Sequence, residues 1–354
     1  LAGCETFREN TAGAEFERFA QAPRNLTLAN AARTLGAASR RKGAGSQMKI
    51  LVTGSSGLVG SALASTLSRS GHTVCRLLRP DSVAGPRTES LGTPLRWNSA
   101  TGELEGAAAG AEAVINLGGE PIAAGRWNAE RKARLRSSRV AGTRNLVTAV
   151  ARLEPRPKVF VSASAIGYYG DRGEEELTEE SAAGNDFLAG LAKEWEAEAA
   201  RAEDFGMRSV QLRIGVILAR HGGALARMLL PFRLGLGGRL GSGRQWMSWL
   251  TLAEIISMIR FALENPEARG PINAVSPQPV RNSEFTAALA RALSRPAIVP
   301  APAFALRVAL GEMADALLLS SQRVLPQRLT ELGYRFLHPN LPSALSAALL
   351  GQVG

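Results

Sequence analysis

The stretch from Met48 to Arg79 leaves this chain few folds to choose from. Ile50, Leu51 and Val52 form a short apolar run of the kind that becomes a buried parallel strand. Gly54, Gly57 and Gly60 follow at once, and Leu58, Val59, Ala62, Leu63 and Leu67 then recur at helical intervals. Gly71 stops that pattern, and Thr73 to Leu78 read as a second strand. Strand, glycine turn, helix and strand in about thirty residues amount to one βαβ unit.

Each glycine has its own physical task. Gly54 permits the tight turn off the strand, Gly57 lets the backbone approach a pyrophosphate, and Gly60 lets the helix pack on the sheet. Together with Ser55, Ser56, Leu58 and Val59 they form a turn expected to hold phosphates. A helix start offers free N–H groups and the positive end of the helix dipole. The end of the second strand discriminates between cofactors, because an acidic residue there would bind the ribose hydroxyls of NAD. This sequence has Arg79, nineteen positions after Gly60, with Arg76 nearby. A guanidinium is always charged and forks its donors, which suits a 2′-phosphate. NADP is therefore expected in preference to NAD. Asp81 follows Pro80 and reads as a turn residue.

At 354 residues the chain exceeds one small domain, and two lobes are expected. The net charge of +11 would permit an anionic partner, but the arginines are scattered and aromatics make up only 5% of residues. Stacking platforms for single-stranded nucleic acid are not expected from such a pattern. The charge is assigned to solubility and cofactor attraction. Cys4 and Cys75 give no disulfide framework, which fits a reducing, cytoplasmic setting. His72, His221 and His338 lack ligand spacing, so no metal is expected. The most apolar run, Ala301 to Leu319, is interrupted by Arg307, Glu312 and Asp315, so no membrane span is expected.

The organisation follows. Residues 1–47 show no strong periodicity and end in a basic glycine-containing linker, so they read as a disordered or non-native leader without function. Residues 48–220 read as an α/β domain, a Rossmann-like doubly wound parallel sheet, with later strands allowed from beyond residue 245. Further strands are expected at Pro94–Trp97, Ala113–Leu117, Lys158–Val161 and Met207–Leu212, with helices at Trp127–Val150 and Phe187–Phe205. Residues 221–354 read as a substrate lid and a smaller C-terminal substrate-capping lobe, the glycine-rich 222–245 being a loop or lid. Trp246 and Trp249 suit packing or a substrate wall, with packing favoured for Trp249.

The Gly54/Gly57/Gly60 turn, Asn116-Leu117-Gly118-Gly119, Val140-Ala141-Gly142-Thr143-Arg144-Asn145-Leu146, Ser162-Ala163-Ser164 and Arg213-Ile214-Gly215-Val216 occur in an order that resembles extended short-chain dehydrogenase/reductases. The stretches Gly119-Glu120-Pro121-Ile122, Arg126-Trp127-Asn128, Gly167-Tyr168-Tyr169-Gly170, Met228 to Gly238 and Val324-Leu325-Pro326-Gln327-Arg328 sharpen the likeness. They resemble an atypical subfamily, the NAD-dependent epimerase/dehydratase-like proteins with a small C-terminal domain. The resemblance covers about residues 48–350. It implies NADP across the strand ends, with Arg79 on the 2′-phosphate and Leu117, Gly118, Arg139 and Val216 along the cofactor.

The same resemblance implies a Ser or Thr, an acid/base Tyr, and a Lys four residues after it. Ser164 and Lys193 match, but Ala189 stands where the tyrosine belongs. Tyr168 or Tyr169 would then replace it as acid/base, or else pack against the cofactor or a neighbouring helix. Two functions of different class remain open. One is an NADP-dependent oxidoreductase or epimerase acting on a small hydroxy or carbonyl compound. The other is a catalytically weak NADP-binding sensor or partner-binding module. The expected partner is a small molecule, with a homodimer as the assembly allowed.

Overall fold

The computed structural model describes residues 47–80 and 91–351, so the expectations for the leader and for Asp81 lie outside the described residues. Seven strands form one sheet: β1 (Lys49–Thr53), β2 (Thr73–Leu78), β3 (Thr93–Arg96), β4 (Ala113–Asn116), β5 (Val159–Ala165), β6 (Arg208–Ile214) and β7 (Gly270–Ala274). Their spatial order is β7-β6-β5-β4-β1-β2-β3, and every neighbouring pair is parallel. Strand order therefore reverses between β1 and β4, the place where open α/β sheets bind ligands at their carboxyl ends. The longer helices are α1 (Leu58–Arg69), α2 (Ala129–Arg136), α3 (Gly142–Val150), α4 (Phe187–Ala200), α5 (Gly223–Arg233), α6 (Leu252–Glu264), α7 (Asn282–Leu293), α8 (Ala303–Leu310) and α9 (Leu341–Leu350).

Side-chain alternation along the strands builds two cores. Ile50 and Val52 face α1 and α6, where they meet Leu63, Leu67, Ile255 and Ile259. Leu51 faces the other way, into a cluster with Leu146, Val147, Val150 and Phe160. Both faces of the sheet are thus covered, as an all-parallel sheet requires. No helix among the described residues is long and apolar enough to cross a membrane.

Two expectations are corrected. The single helix expected over Trp127–Val150 is α2 and α3 joined by a π-helical turn, Ser137–Ala141. The glycine-rich 222–245 begins as a helix, α5, and not as a loop. Leu225, Leu229 and Phe232 lie four and three residues apart, and they bury that helix against Trp249, Phe285, Leu289 and Leu345. Pro231 sits inside α5, near its last turn. After α5 the chain runs out as an arm in which 236–241 associates with 297–301, through bridges Leu236–Ala297 and Leu240–Ala301.

The described residues from Gln47 onward cluster as one compact unit. The seventh strand arrives from beyond residue 245 and pairs with β6. Trp249 is fully buried, its indole N–H donating to the Gln278 carbonyl at 3.0 Å. The guanidinium groups of Arg281 and Arg323 each lie 4.6 Å from the centre of the Trp246 ring.

Candidate functional site

The site is assembled from the ends of β1 and β4. Thr53 Oγ1 donates to Asn116 Oδ1 at 2.8 Å and accepts from the N–H groups of Leu117 and Gly118 at 3.1 and 3.0 Å. One hydroxyl thus ties the two strand ends together at the switch point. Gly54 has φ +65°, and a Cβ there would clash with the Leu117 carbonyl. A Cβ on Gly60 would clash with the Gly54 carbonyl, so Gly60 is needed for α1 to lean on the turn. Gly57 differs. It is exposed, and a Cβ there would meet only the Gly54 carbonyl, at 3.3 Å.

No side chain caps the start of α1, and no acidic residue stands in its first turn. The first N–H groups of a helix have no intrahelical acceptors, so this end presents bare donors. Ser55 is buried and its hydroxyl has no hydrogen-bond partner among the described residues, while Ser56 is exposed. An open glycine front, uncapped donors and an orphaned hydroxyl fit the pyrophosphate of a dinucleotide. β1 and β2 run side by side with Thr53 opposite Leu77, which brings Arg79 out near this turn. Arg79 is exposed. Arg76 is buried, and its Nε donates to the Gly92 carbonyl at 3.0 Å, so of these two arginines among the described residues it is Arg79 that stands exposed at this strand end.

Leu117 and Gly118 continue from β4, and Gly119 packs against Arg139. Arg139 projects from the π-helical turn, donates to the Glu120 carbonyl at 3.0 Å and lies 5.3 Å from the Trp195 ring. Burial brings its guanidinium down to about 10, against the opposing pull of Glu120. Arg139 therefore holds the loop after β4. Val216 opens the short strand Val216–Ala219, which pairs in parallel with Trp249–Thr251.

The expected catalytic residues fall into two places. Ser164 does not offer a free hydroxyl to a substrate: it is buried and donates to Glu196 Oε1 at 2.6 Å. Glu196 in turn takes a two-pronged pair from Arg213, at 2.9 and 2.8 Å. The Arg213 guanidinium lies 3.5 Å from the centre of the Tyr168 ring and donates to the Tyr169 hydroxyl at 2.9 Å. Tyr169 is fully buried, with Asn273 Oδ1 at 2.7 Å and the Thr178 carbonyl at 2.9 Å from its hydroxyl. Desolvation pushes this phenol up to about 12, despite Arg213 beside it, so it keeps its proton. Tyr168 is only half-buried. Lys193 is exposed on α4 and makes no hydrogen bond or ion pair among the described residues, while Ala189 is fully buried one turn earlier.

Arg213 and Glu196 thus join Ser164 to both tyrosines, a role not anticipated for either residue. A readable signal existed for Glu196. Ala189, Ala192 and Ala199 form the buried stripe of α4, and Glu196 interrupts that stripe with a charge. Asn273 and Glu179 complete the cluster from β7 and the loop before α4. Glu179 Oε1 accepts from the N–H groups of Asn273 and Arg328 at 2.9 and 3.3 Å, and burial raises its carboxyl above the usual range. Asn273 Nδ2 donates to the Leu325 carbonyl at 2.9 Å, so the Val324 to Arg328 segment is anchored on the seventh strand.

The profile of the NAD dependent epimerase/dehydratase family matches residues 50–275, through the end of β7 and well past residue 220. A second profile, a domain of unknown function (DUF1731), matches residues 301–348. An epimerase family protein of Mycobacterium leprae is 40% identical over 300 residues, covering 84% of this chain and 95% of the relative. The chloroplastic SDR39U1 homolog of Arabidopsis thaliana is 38% identical, covering 92% of this chain and 93% of its own length. The crystal structure of the human epimerase family protein SDR39U1 with NADPH superimposes with a TM-score of 0.77 at 33% identity, covering 86% of this chain and 100% of that one.

Proposed function

The chain belongs to the NAD dependent epimerase/dehydratase family, and from that premise we propose that it is an NADP-dependent oxidoreductase or epimerase acting on a small hydroxy or carbonyl compound. The observation that carries this reading is an uncapped, open glycine turn with an exposed Arg79 at the adjoining strand end. Leu58, Val59 and Gly60 would take the diphosphate on their backbone donors, with Gly57, whose N–H donates to the Gly54 carbonyl at 3.0 Å, keeping the approach open and Ser55 and Ser56 supplying hydroxyls. Arg79 would pair the 2′-phosphate, and Leu117, Gly118, Arg139 and Val216 would bound the same cofactor. A relative whose structure carries NADPH supports the choice.

When bound, the nicotinamide supplies or accepts the hydride. The chain's own residues then have to hold the substrate and move a proton. We assign the proton to Tyr168, because its neighbour Tyr169 is enclosed by Asn273, Thr178 and Arg213. Arg213, held by Glu196, backs the Tyr168 ring, and Ser164 helps fix Glu196. Lys193 is assigned to the cofactor and not to the phenol. The second reading, a sensor with little turnover, draws on Ala189, which places an inert, buried side chain where the family's phenol belongs.

Titration of NADPH and NADH into the wild type and Arg79→Ala tests the cofactor assignment. Losing one charge-assisted fork to a phosphate should weaken NADPH binding by about 1.5–3 kcal/mol and leave NADH nearly unchanged. Equal affinities of the wild type for the two cofactors would overturn it.

A further inference from the structure

Between the loop after β4, the start of α4 and residues 307–320 lies a cavity of about 250 Å³. Its charged groups are already engaged. Asp186 Oδ1 caps α4 through the Ala189 N–H, Asp171 Oδ1 accepts from the Ser321 N–H, Arg307 pairs Asp315, and Glu312 pairs Lys132. What the walls leave uncommitted is apolar: Trp127, Phe187, Leu188 and Leu319, with Trp127 and Phe187 in edge contact at 5.4 Å. Leu188 would be 3.3 Å from a Cβ on Gly167, the residue before Tyr168, so the cavity adjoins the tyrosine turn.

Two helices extend this apolar character outward. Leu230 in α5 and Leu234 just past its end are 66% and 64% exposed, and Phe304 and Val308 on α8 are 70% and 73% exposed. α8 is mostly apolar, yet none of its residues is buried. Both helices converge on one loop. Arg227 of α5 reaches the Ala123 carbonyl at 3.4 Å, and just past α8 a Cβ on Gly311 would be 3.4 Å from Arg126. The arm of 236–241 with 297–301 joins the end of α5 to the start of α8. At its other end α5 adjoins the phosphate turn, since a Cβ on Gly222 would touch Leu58 at 3.0 Å. Large exposed apolar side chains on two helices that meet one loop mark a binding surface, and α5 also reaches the glycine turn.

The geometry points to a substrate with an apolar body, an acyl or aromatic alcohol or carbonyl compound, and not a polyhydroxylated sugar nucleotide. This rests on the oxidoreductase reading for the reacting group, but the apolar pocket can be tested without turnover. Octan-1-ol and UDP-glucose are titrated by calorimetry into the full chain with NADPH bound, a pairing of alcohol and reduced cofactor that cannot react. Octan-1-ol should bind at least about tenfold more tightly than UDP-glucose. Leu230→Ser and Phe304→Ser should each weaken it about tenfold, in line with the discrimination apolar pockets achieve, with NADPH affinity unchanged. Both residues are exposed, so both variants should fold. A blue shift of indole emission on adding octan-1-ol, absent in Trp127→Phe, gives a second readout on the unaltered helices. Tighter binding of UDP-glucose, or serine variants that keep full alcohol affinity, would overturn the inference. So would a dimer that sediments as monomer in the serine variants with alcohol affinity intact, because the face would then seat a second copy. Failure of NADPH to bind, with octan-1-ol still bound, would defeat the oxidoreductase reading and leave the pocket standing.

Discussion

At the scale of single residues, burial separates two neighbouring phenols. Tyr169 is held among Asn273, Thr178 and Arg213, so Tyr169→Phe should cost about 1–3 kcal/mol of stability in denaturant titrations. Tyr168→Phe should leave stability nearly unchanged and lower turnover about 10²–10⁴-fold once a substrate is found. Full turnover in that variant would favour the sensor reading. The pH dependence follows from the raised Tyr169 phenol, at about 12 in the folded chain against its ordinary 10. Below pH 10 both states hold the proton and this contribution is complete. Between 10 and 12 the unfolded chain ionises first, so stability falls with rising pH, by about 1.4 kcal/mol per unit. Tyr334 shifts in the same direction, through burial and the adjacent Glu254. Alkaline unfolding followed by circular dichroism should therefore be less steep in Tyr169→Phe than in the wild type.

Among elements, the glycine turn separates folding from binding. Gly60→Ala places a methyl against the Gly54 carbonyl, and Gly54→Ala adds a left-handed backbone to a clash with Leu117. Each should lower stability by at least about 1–3 kcal/mol. Gly57→Ala should melt like the wild type and lose NADPH affinity, since its methyl would point into the open front. Equal behaviour of all three variants in thermal melts and cofactor titrations would refute this division of labour. The turn was readable because three glycines between an apolar run and a helical period admit few conformations. Strands β1 and β4 were readable for a similar reason, since buried parallel strands are short apolar runs. Helix α5 was not, because Gly222, Gly223, Gly235, Gly237 and Gly238 outweighed the three buried residues that define its face. The orientation of Ser164 also escaped the sequence. Neighbouring strand residues point to opposite faces, so one position decides whether a hydroxyl meets a cleft or a helix. The Arg213–Glu196 pair joins a strand to a helix, and nothing in the sequence records that their side chains meet.

For the whole molecule, Glu254 ties the C-terminal segment to the sheet domain. It is fully buried on α6 and accepts from the Tyr334 hydroxyl at 2.6 Å and from the N–H groups of Leu337 and His338 at 3.2 and 2.9 Å. Glu254→Ala would strand three donors, and a loss of about 3–5 kcal/mol is expected in equilibrium unfolding. The order of the strands has a temporal consequence as well. β6 is complete when residue 214 is made, but its outer neighbour β7 is not made until residue 274. During synthesis Val210 and Leu212 therefore wait on an unpaired edge while the intervening chain emerges, and such edges invite pairing with other chains. A nascent chain stalled before Gly270 should aggregate more than the completed chain, as pelleting of the two released species would show.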